Sequence, residues 1–402
     1  MRKPEILAPA GDRERLEYAV AYGADAVYLA GQAFGMRAFA GNFDRAEMAQ
    51  GVAFAHARGV RVYVTVNTLP HPGEMRQLPG YLEQLAQLGV DGLIVADAGV
   101  FALCRRYVPH LPLHMSTQAG IVNAEAAALW QEMGARRAVL ARELTLTEIA
   151  GIRRQTPGME MEVFVHGAMC VSFSGRCLLS SYLTGRDANR GACAQPCRWR
   201  YALVEETRPG EYFPVEEDGR GTYLYNAKDL CMIDHIAPLA ETGVDALKIE
   251  GRAKTAYYTA CVTAAYRRAV DAWAAGEKLP DWVRQEVDKV SHRPYGTGFY
   301  LPEQPPGQHN ADAQYIRTWD VCALLDGPGG DAPWFRLKNR FAVGDEMELV
   351  QPGRAPVPFR PQRLWEEGGA PLAEAVHPMM RVRVQLPVEA GAYAMLRKRR
   401  GG

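Results

Sequence analysis

The chain has 402 residues, 48% of them hydrophobic and 23% charged, with Lys+Arg and Asp+Glu both at 46. This composition is globular and long enough for two or three domains, and it excludes both a disordered chain and a globally basic nucleic-acid binder; any RNA contact must come from a local patch. No apolar run reaches the ~20 residues that span a bilayer, and the opening MRKPEILAPAGDRER lacks a signal-peptide core, so the expectation is a cytoplasmic protein without membrane contact.

A unit of amphipathic helix, glycine and short apolar strand recurs along the first part of the chain. It reads AYGADAVYLAG (21–31), ARGVRVYVTVN (57–67), QLGVDGLIVAD (87–97), EMGARRAVLAR (132–142) and ETGVDALKIEG (241–251). The glycine suits the left-handed position that closes a helix, and Val, Leu, Ile and Tyr supply buried strands. PEILAPA (4–10), LPLHMST (111–117) and MEVFVHG (161–167) complete eight strands, with helices expected over 12–22, 44–58, 74–88, 99–107, 123–133, 145–154, 229–242 and 255–275. Strict alternation predicts an α/β fold, a (β/α)8 TIM-like barrel. The rival is a Rossmann-like sheet, but its G-x-G-x-x-G turn is missing from APAGD after the first strand.

In such a barrel the C-terminal ends of the strands carry the chemistry. Those ends supply Arg37, Asn67, Asp97, Ser116, Gln118, Arg142, Glu143, His166, Lys248, Glu250 and Arg252. Alternation puts Ser116 with Gln118, and Lys248 with Glu250, on shared faces. Plainer roles compete: Asp97 as a helix N-cap, Arg142 and Glu143 as a surface ion pair, Lys248 and Glu250 as a pair inside the barrel.

A long excursion over 167–226 follows the seventh strand and opens with Cys170, Cys177, Cys193 and Cys197, spaced C-x6-C-x15-C-x3-C among glycines and Arg176, Arg186, Arg190 and Arg198. Its later segments WRYALVEE, EYFPVEE and TYLYN read as a small antiparallel sheet. Loops this long in a compact domain usually carry function, and clustered cysteines in a reducing compartment point to metal or redox chemistry. Four thiolates suit zinc or an iron–sulfur cluster. Only the second pair has knuckle-like spacing, and the arginines would offset a cluster's negative charge, so the residues favour [4Fe-4S] with Zn as the alternative. Cys231 is a substitute ligand candidate, but it shares the apolar face of the expected helix with Leu230, Ile233 and Ile236, which favours core packing. Cys104, Cys261 and Cys322 sit in apolar runs and read as core.

The barrel domain, with its cysteine loop and small sheet, is placed at 1–276; 277–311, carrying SHRPYGTGFY and LPEQPPGQ, is an extension packing on it. Alternating segments from 312 to 402 predict a C-terminal all-β barrel, whose RKRR end (397–400) reads as a solvated tail sooner than a phosphate contact.

EVFVHGAMCVSFSGRCLLS resembles the signature of the peptidase U32 family, also called collagenase-like peptidases. PEILAPAGD, GADAVYLAG, VNTLPH, STQAG, ARELTL, RGACAQPCRWRY and LKIEGRAK match its other blocks, and KNRFAVGDEMELV resembles its C-terminal β domain. Within the family the chain is most similar to the tRNA hydroxylation proteins. That resemblance implies 5-hydroxyuridine formation at the wobble position of tRNA, without dioxygen, with prephenate or a similar hydroxyl donor and with a paralogous U32 subunit as a candidate partner. Relatives act on a ribosomal RNA cytidine or in oxygen-independent ubiquinone synthesis. The resemblance also implies a [4Fe-4S] cluster on Cys170, Cys177, Cys193 and Cys197, with Cys231 outside the pattern. On this reading Arg37, Arg142 and Arg252 clamp the donor's carboxylates, and Asn67, Ser116 and Gln118 join them in binding substrate. His166, Glu143, Lys248 and Glu250 are the proton-transfer candidates. A shorter insertion between Cys197 and Gly221, and Pro294 in the S-x-R-x-Y-x-x-G-F block, depart from the pattern and leave the target nucleotide open. The alternatives are a peptidase, which lacks H-E-x-x-H and G-x-S-x-G motifs here, a non-catalytic iron–sulfur tRNA-binding partner, and hydroxylation of another RNA.

Overall fold

The computed structural model describes residues 2–36, 41–170, 172–173, 176–199, 216–218, 221–223, 227–304, 315–328 and 330–400. Arg37 and most of the expected small sheet lie outside the described residues; of that sheet, Glu216–Asp218 pairs antiparallel with Gly221–Tyr223.

Eight strands form the barrel: Glu5–Pro9 (β1), Ala26–Leu29 (β2), Arg61–Val66 (β3), Gly92–Val95 (β4), Leu113–Met115 (β5), Arg137–Val139 (β6), Glu160–Gly167 (β7) and Ala246–Ile249 (β8). Each pairs in parallel with the next, and β8 pairs with both β7 and β1, which closes the ring. Nearly every strand residue is buried because helices cover the outside and side chains fill the inside, which is why these strands read as continuous apolar runs. Asp12, Asp44, Asp97, Asn123, Thr145 and Thr255 each accept a backbone N–H of the helix that follows them, satisfying first-turn donors that would otherwise be orphaned.

Two expected helices differ. The one at 74–88 is broken into Pro72–Met75 and Leu78–Gln87, with Pro79 at the start of the second piece. The one at 229–242 is α-helical only over Ile236–Glu241, preceded by a 3-10 turn at Ile233–His235; Pro238 is tolerated in the first α-helical turn but would clash with an α-helix continuing upstream. Upstream, Asp229–Cys231 is a strand that pairs antiparallel with the end of β7, Leu230 opposite Gly167 and Cys231 opposite His166.

The lower barrel interior holds a buried charge cluster. Arg137 Nη1 donates to Glu5 at 2.8 Å and to Glu162 at 3.1 Å, and Lys248 Nζ donates to Glu162 at 2.7 Å. Lys248 therefore pairs with Glu162 and not with Glu250.

Residues from Trp319 to Arg399 form an eight-stranded antiparallel sheet around its own core, including Phe335, Phe341, Leu349 and Leu396. Leu324, Val350 and Met395 join the barrel's core. The RKRR end is solvated only in part: Arg399 and Arg400 are exposed, but Arg397 is fully buried and meets Glu286 at 2.5 Å and Glu348 at 2.6 Å. Among the described residues no helix is long and apolar enough to cross a membrane.

Candidate active site at the barrel mouth

The C-terminal strand ends open onto one cavity of about 810 Å³, within the range of small-molecule sites. Asn67, Ser116, Gln118, Arg142, Glu143, Lys248, Glu250 and Arg252 all line it. So do Cys170, Cys177, Cys193 and Cys197, so the loop after β7 and the barrel mouth share one space.

The deep end is polar and tightly held. Gln118 Oε1 accepts from Asn67 Nδ2 at 2.8 Å and from Ser116 Oγ at 3.4 Å. Its Nε2, buried, has no partner among the described residues, and so is a donor left for a ligand. Arg252, also buried, donates to Thr65 Oγ1 at 3.1 Å. Arg142 lies 3.7 Å over the Phe164 ring, donates to the Ala168 carbonyl at 2.8 Å and comes within 4.0 Å of Glu250. The Tyr28 hydroxyl donates to the Ile249 carbonyl at 3.0 Å and lies 3.4 Å from the Glu250 carboxylate, and the Lys248 ammonium sits 4.6 Å from the centre of the same Tyr28 ring. Two guanidinium groups and an ammonium thus face one polar pocket, an arrangement suited to a carboxylate-bearing ligand.

The structure leaves two of the strand-end candidates outside the cavity wall. Asp97 accepts from Val100 N at 2.9 Å, which makes it an N-cap. His166 is buried against Tyr258, Tyr266 and Tyr295, with its ring nitrogens 3.4 Å from the Tyr266 and Tyr295 hydroxyls. The cause is a bulge: Lys248 pairs with Phe164 but Ile249 pairs with His166, so one extra β7 residue breaks the alternation that would have turned His166 inward. Burial foremost, with His292 and Lys254 nearby, lowers the imidazole pKa to about 3.

Several lining residues were not among the strand-end candidates: Tyr28, Phe164, Met169, Lys228, Tyr295 and Phe299. Tyr295–Gly296 adds a strand beside Asp229–Cys231 and so brings a segment from beyond the barrel to its mouth. The glycines of YGTGF were its sequence signal, since Gly298 takes φ +60°.

Cys170 is exposed, and Cys177, Cys193 and Cys197 are half-buried. Asn189 ties the loop by exchanging hydrogen bonds with the backbone of Cys177, and the Gln195 N–H donates to Cys193 Sγ at 3.3 Å. Arg190 pairs with Glu74 at 2.5 Å and Arg186 donates to the Ala192 carbonyl at 3.0 Å, so these arginines also brace the loop. No three His, Cys, Asp or Glu side chains among the described residues are grouped closely enough to hold a metal ion as they stand. The donor chemistry still fits an iron–sulfur cluster: four thiols in the wall of one cavity, with a backbone amide already donating to a sulfur. Cys231 is in the Asp229–Cys231 strand, away from that wall, and burial pushes its thiol up to about 12.

The chain matches the family model for Peptidase family U32 over residues 11–310 and that for the Peptidase family U32 C-terminal domain over residues 317–397. It is 38% identical over 394 residues to tRNA hydroxylation protein P of Escherichia coli (strain K12), covering 88% of this chain and 87% of that protein. It is 38% identical over 408 residues to tRNA hydroxylation protein P1 of Bacillus subtilis (strain 168), covering 99% and 95%. The 23S rRNA 5-hydroxycytidine C2501 synthase of E. coli is 37% identical over 327 residues, covering 81% of this chain and 47% of that one.

Proposed function

The chain belongs to peptidase family U32, and we propose that it is an RNA-modifying enzyme that hydroxylates a pyrimidine of tRNA. In its finer form the proposal is 5-hydroxyuridine at the wobble position, made without dioxygen, with prephenate or a similar diacid as the hydroxyl donor. The observation that carries it is the shared cavity, which the four cysteines line together with Gln118, Lys248 and Arg252. Relatives named for tRNA hydroxylation, and one named for making 5-hydroxycytidine in rRNA, support a common reaction on pyrimidine bases.

Arg142 and Arg252 hold the donor's carboxylates, and Gln118 Nε2 fixes a third acceptor. Arg142 is kept in place by stacking on Phe164 and by the Ala168 carbonyl. Glu250, braced by Tyr28, and Glu143 are the cavity carboxylates placed to move a proton at the reacting carbon. A [4Fe-4S] cluster on Cys170, Cys177, Cys193 and Cys197 would supply an electron relay or a Lewis-acid iron beside the substrate.

The test is mass spectrometry of tRNA from a strain lacking this protein, complemented with wild-type, Cys197→Ser or Cys231→Ser alleles. Loss of 5-hydroxyuridine and its derivatives, restored by wild type and Cys231→Ser but not by Cys197→Ser, is expected. An unchanged nucleoside profile in the deletion strain sinks the proposal, and rescue by Cys197→Ser sinks the cluster assignment.

A further inference from the structure

We propose that Phe173 and Phe299 form a stacking clamp at the cavity entrance that takes the base of an unpaired RNA nucleotide. The inference rests on the RNA reading above and says how that substrate enters.

Among the described residues Phe173 and Phe299 are the only exposed phenylalanines, at 55% and 38%, and both line this one cavity. Being at once exposed and cavity-lining, they stand at its opening, with part of each flat apolar ring open to solvent. They arrive on different segments, Phe173 on the cysteine loop and Phe299 on the extension beyond the barrel. The two segments run close together, so that a Cβ added at Gly298 would come into van der Waals contact with the Met169 methyl, at 3.7 Å.

The chemistry changes with depth. Towards the entrance the aromatic rings share the cavity lining with Lys228, and Arg176, exposed, donates its backbone N–H to the Phe173 carbonyl at 3.0 Å. At the floor Ser116, Gln118, Lys248 and Arg252 are each at most 4% exposed. Rings beside cations match a base and its phosphate, whereas the polar floor matches a small acid. Chemistry on a base requires it to be unstacked from its neighbours, and aromatic side chains replace the lost stacking whatever the base identity.

The experiment measures binding of two RNAs to anaerobically purified protein by fluorescence anisotropy. One is an anticodon stem–loop with an unmodified wobble uridine; the other is the same RNA with an abasic residue there. Phe173→Ala, Phe299→Ala and the apolar but non-aromatic Phe299→Leu are each expected to weaken binding of the intact RNA about tenfold. Phe299→Trp should retain affinity, with its fluorescence quenched on binding. The abasic RNA should bind wild type and variants equally, at the weakened level. Phe299 lies outside the cysteine loop, so its variants test the clamp independently of cluster loading. Wild-type affinity for intact RNA in the Ala and Leu variants overturns the clamp while leaving the RNA reading intact. Failure of the wild-type protein to bind either RNA overturns both.

Discussion

Gln118 shows how a single side chain acquires a direction. An amide can present either end, but Asn67 Nδ2 and Ser116 Oγ both donate to Oε1, so Nε2 is left as a donor without a partner among the described residues. Gln118→Glu keeps an acceptor for Asn67 and Ser116 but replaces the free donor with negative charge. Prephenate affinity, measured by calorimetry, should fall at least tenfold, in line with the roughly 1.5–3 kcal/mol of a hydrogen bond to a charged group, while the melting temperature changes little. Undiminished affinity would remove Gln118 from the donor site. His166 acts on stability instead. Its folded pKa of about 3 lies below the ordinary imidazole value of ~6.5, so the unfolded chain binds the proton first as pH falls. Its contribution is therefore complete above ~6.5 and is lost as pH drops toward 3, at up to ~1.4 kcal/mol per pH unit. His114, buried beside Arg137 and Lys248 and held well below the usual imidazole range, adds in the same direction. Urea midpoints should decline from pH 7 to pH 5, and His166→Asn should flatten that slope whatever it does to the stability at pH 7.

At the scale of elements, the barrel was legible because each helix–glycine–strand unit carries its own period and its own cap. What escaped was set by pairing between distant segments. Leu230, Ile233 and Ile236 fit a helical stripe, yet the backbone at Leu230 and Cys231 is claimed by β7 as a strand. The facing of His166 depends on a bulge against β8, which no local pattern encodes, and Tyr295 and Phe299 reach the site only because their segment adds to the same sheet. The strand-end residues Asn67, Ser116, Gln118, Arg142, Glu143, Lys248, Glu250 and Arg252 were readable because alternation and the barrel rule both place them at the mouth. Gly167 is where these elements meet. It takes φ +104°, and a Cβ there would lie 2.4 Å from the Glu250 carbonyl oxygen. Gly167→Ala should cost about 2 kcal/mol or more through backbone strain and that clash, read as a lower melting temperature. Because the clash falls on the backbone that carries Glu250, donor binding should weaken beyond the stability loss. A variant as stable as wild type would show that the close approach is dispensable.

Across the whole molecule, the C-terminal sheet bears on a site it does not line. Arg397, fully buried, binds Glu286 on the helix Asp281–Asp288 and Glu348 on the sheet. Lys289, just past the end of that helix, binds Glu348 as well, at 3.0 Å. The Tyr295 hydroxyl in turn donates to the Val287 carbonyl of that helix at 2.7 Å, and Tyr295 is part of the cavity wall that continues to Phe299. The domain seam thus holds the helix, the helix holds Tyr295, and Tyr295 fixes one side of the mouth. Arg397→Met removes the cation while leaving Glu286 buried, which should cost roughly 3–5 kcal/mol of stability. It should also weaken RNA binding at temperatures where the variant is still folded, whereas Arg381→Met, breaking an exposed pair on the same domain, should change neither. Equal RNA affinity in wild type and Arg397→Met would mean that the seam stabilises the fold without shaping the entrance.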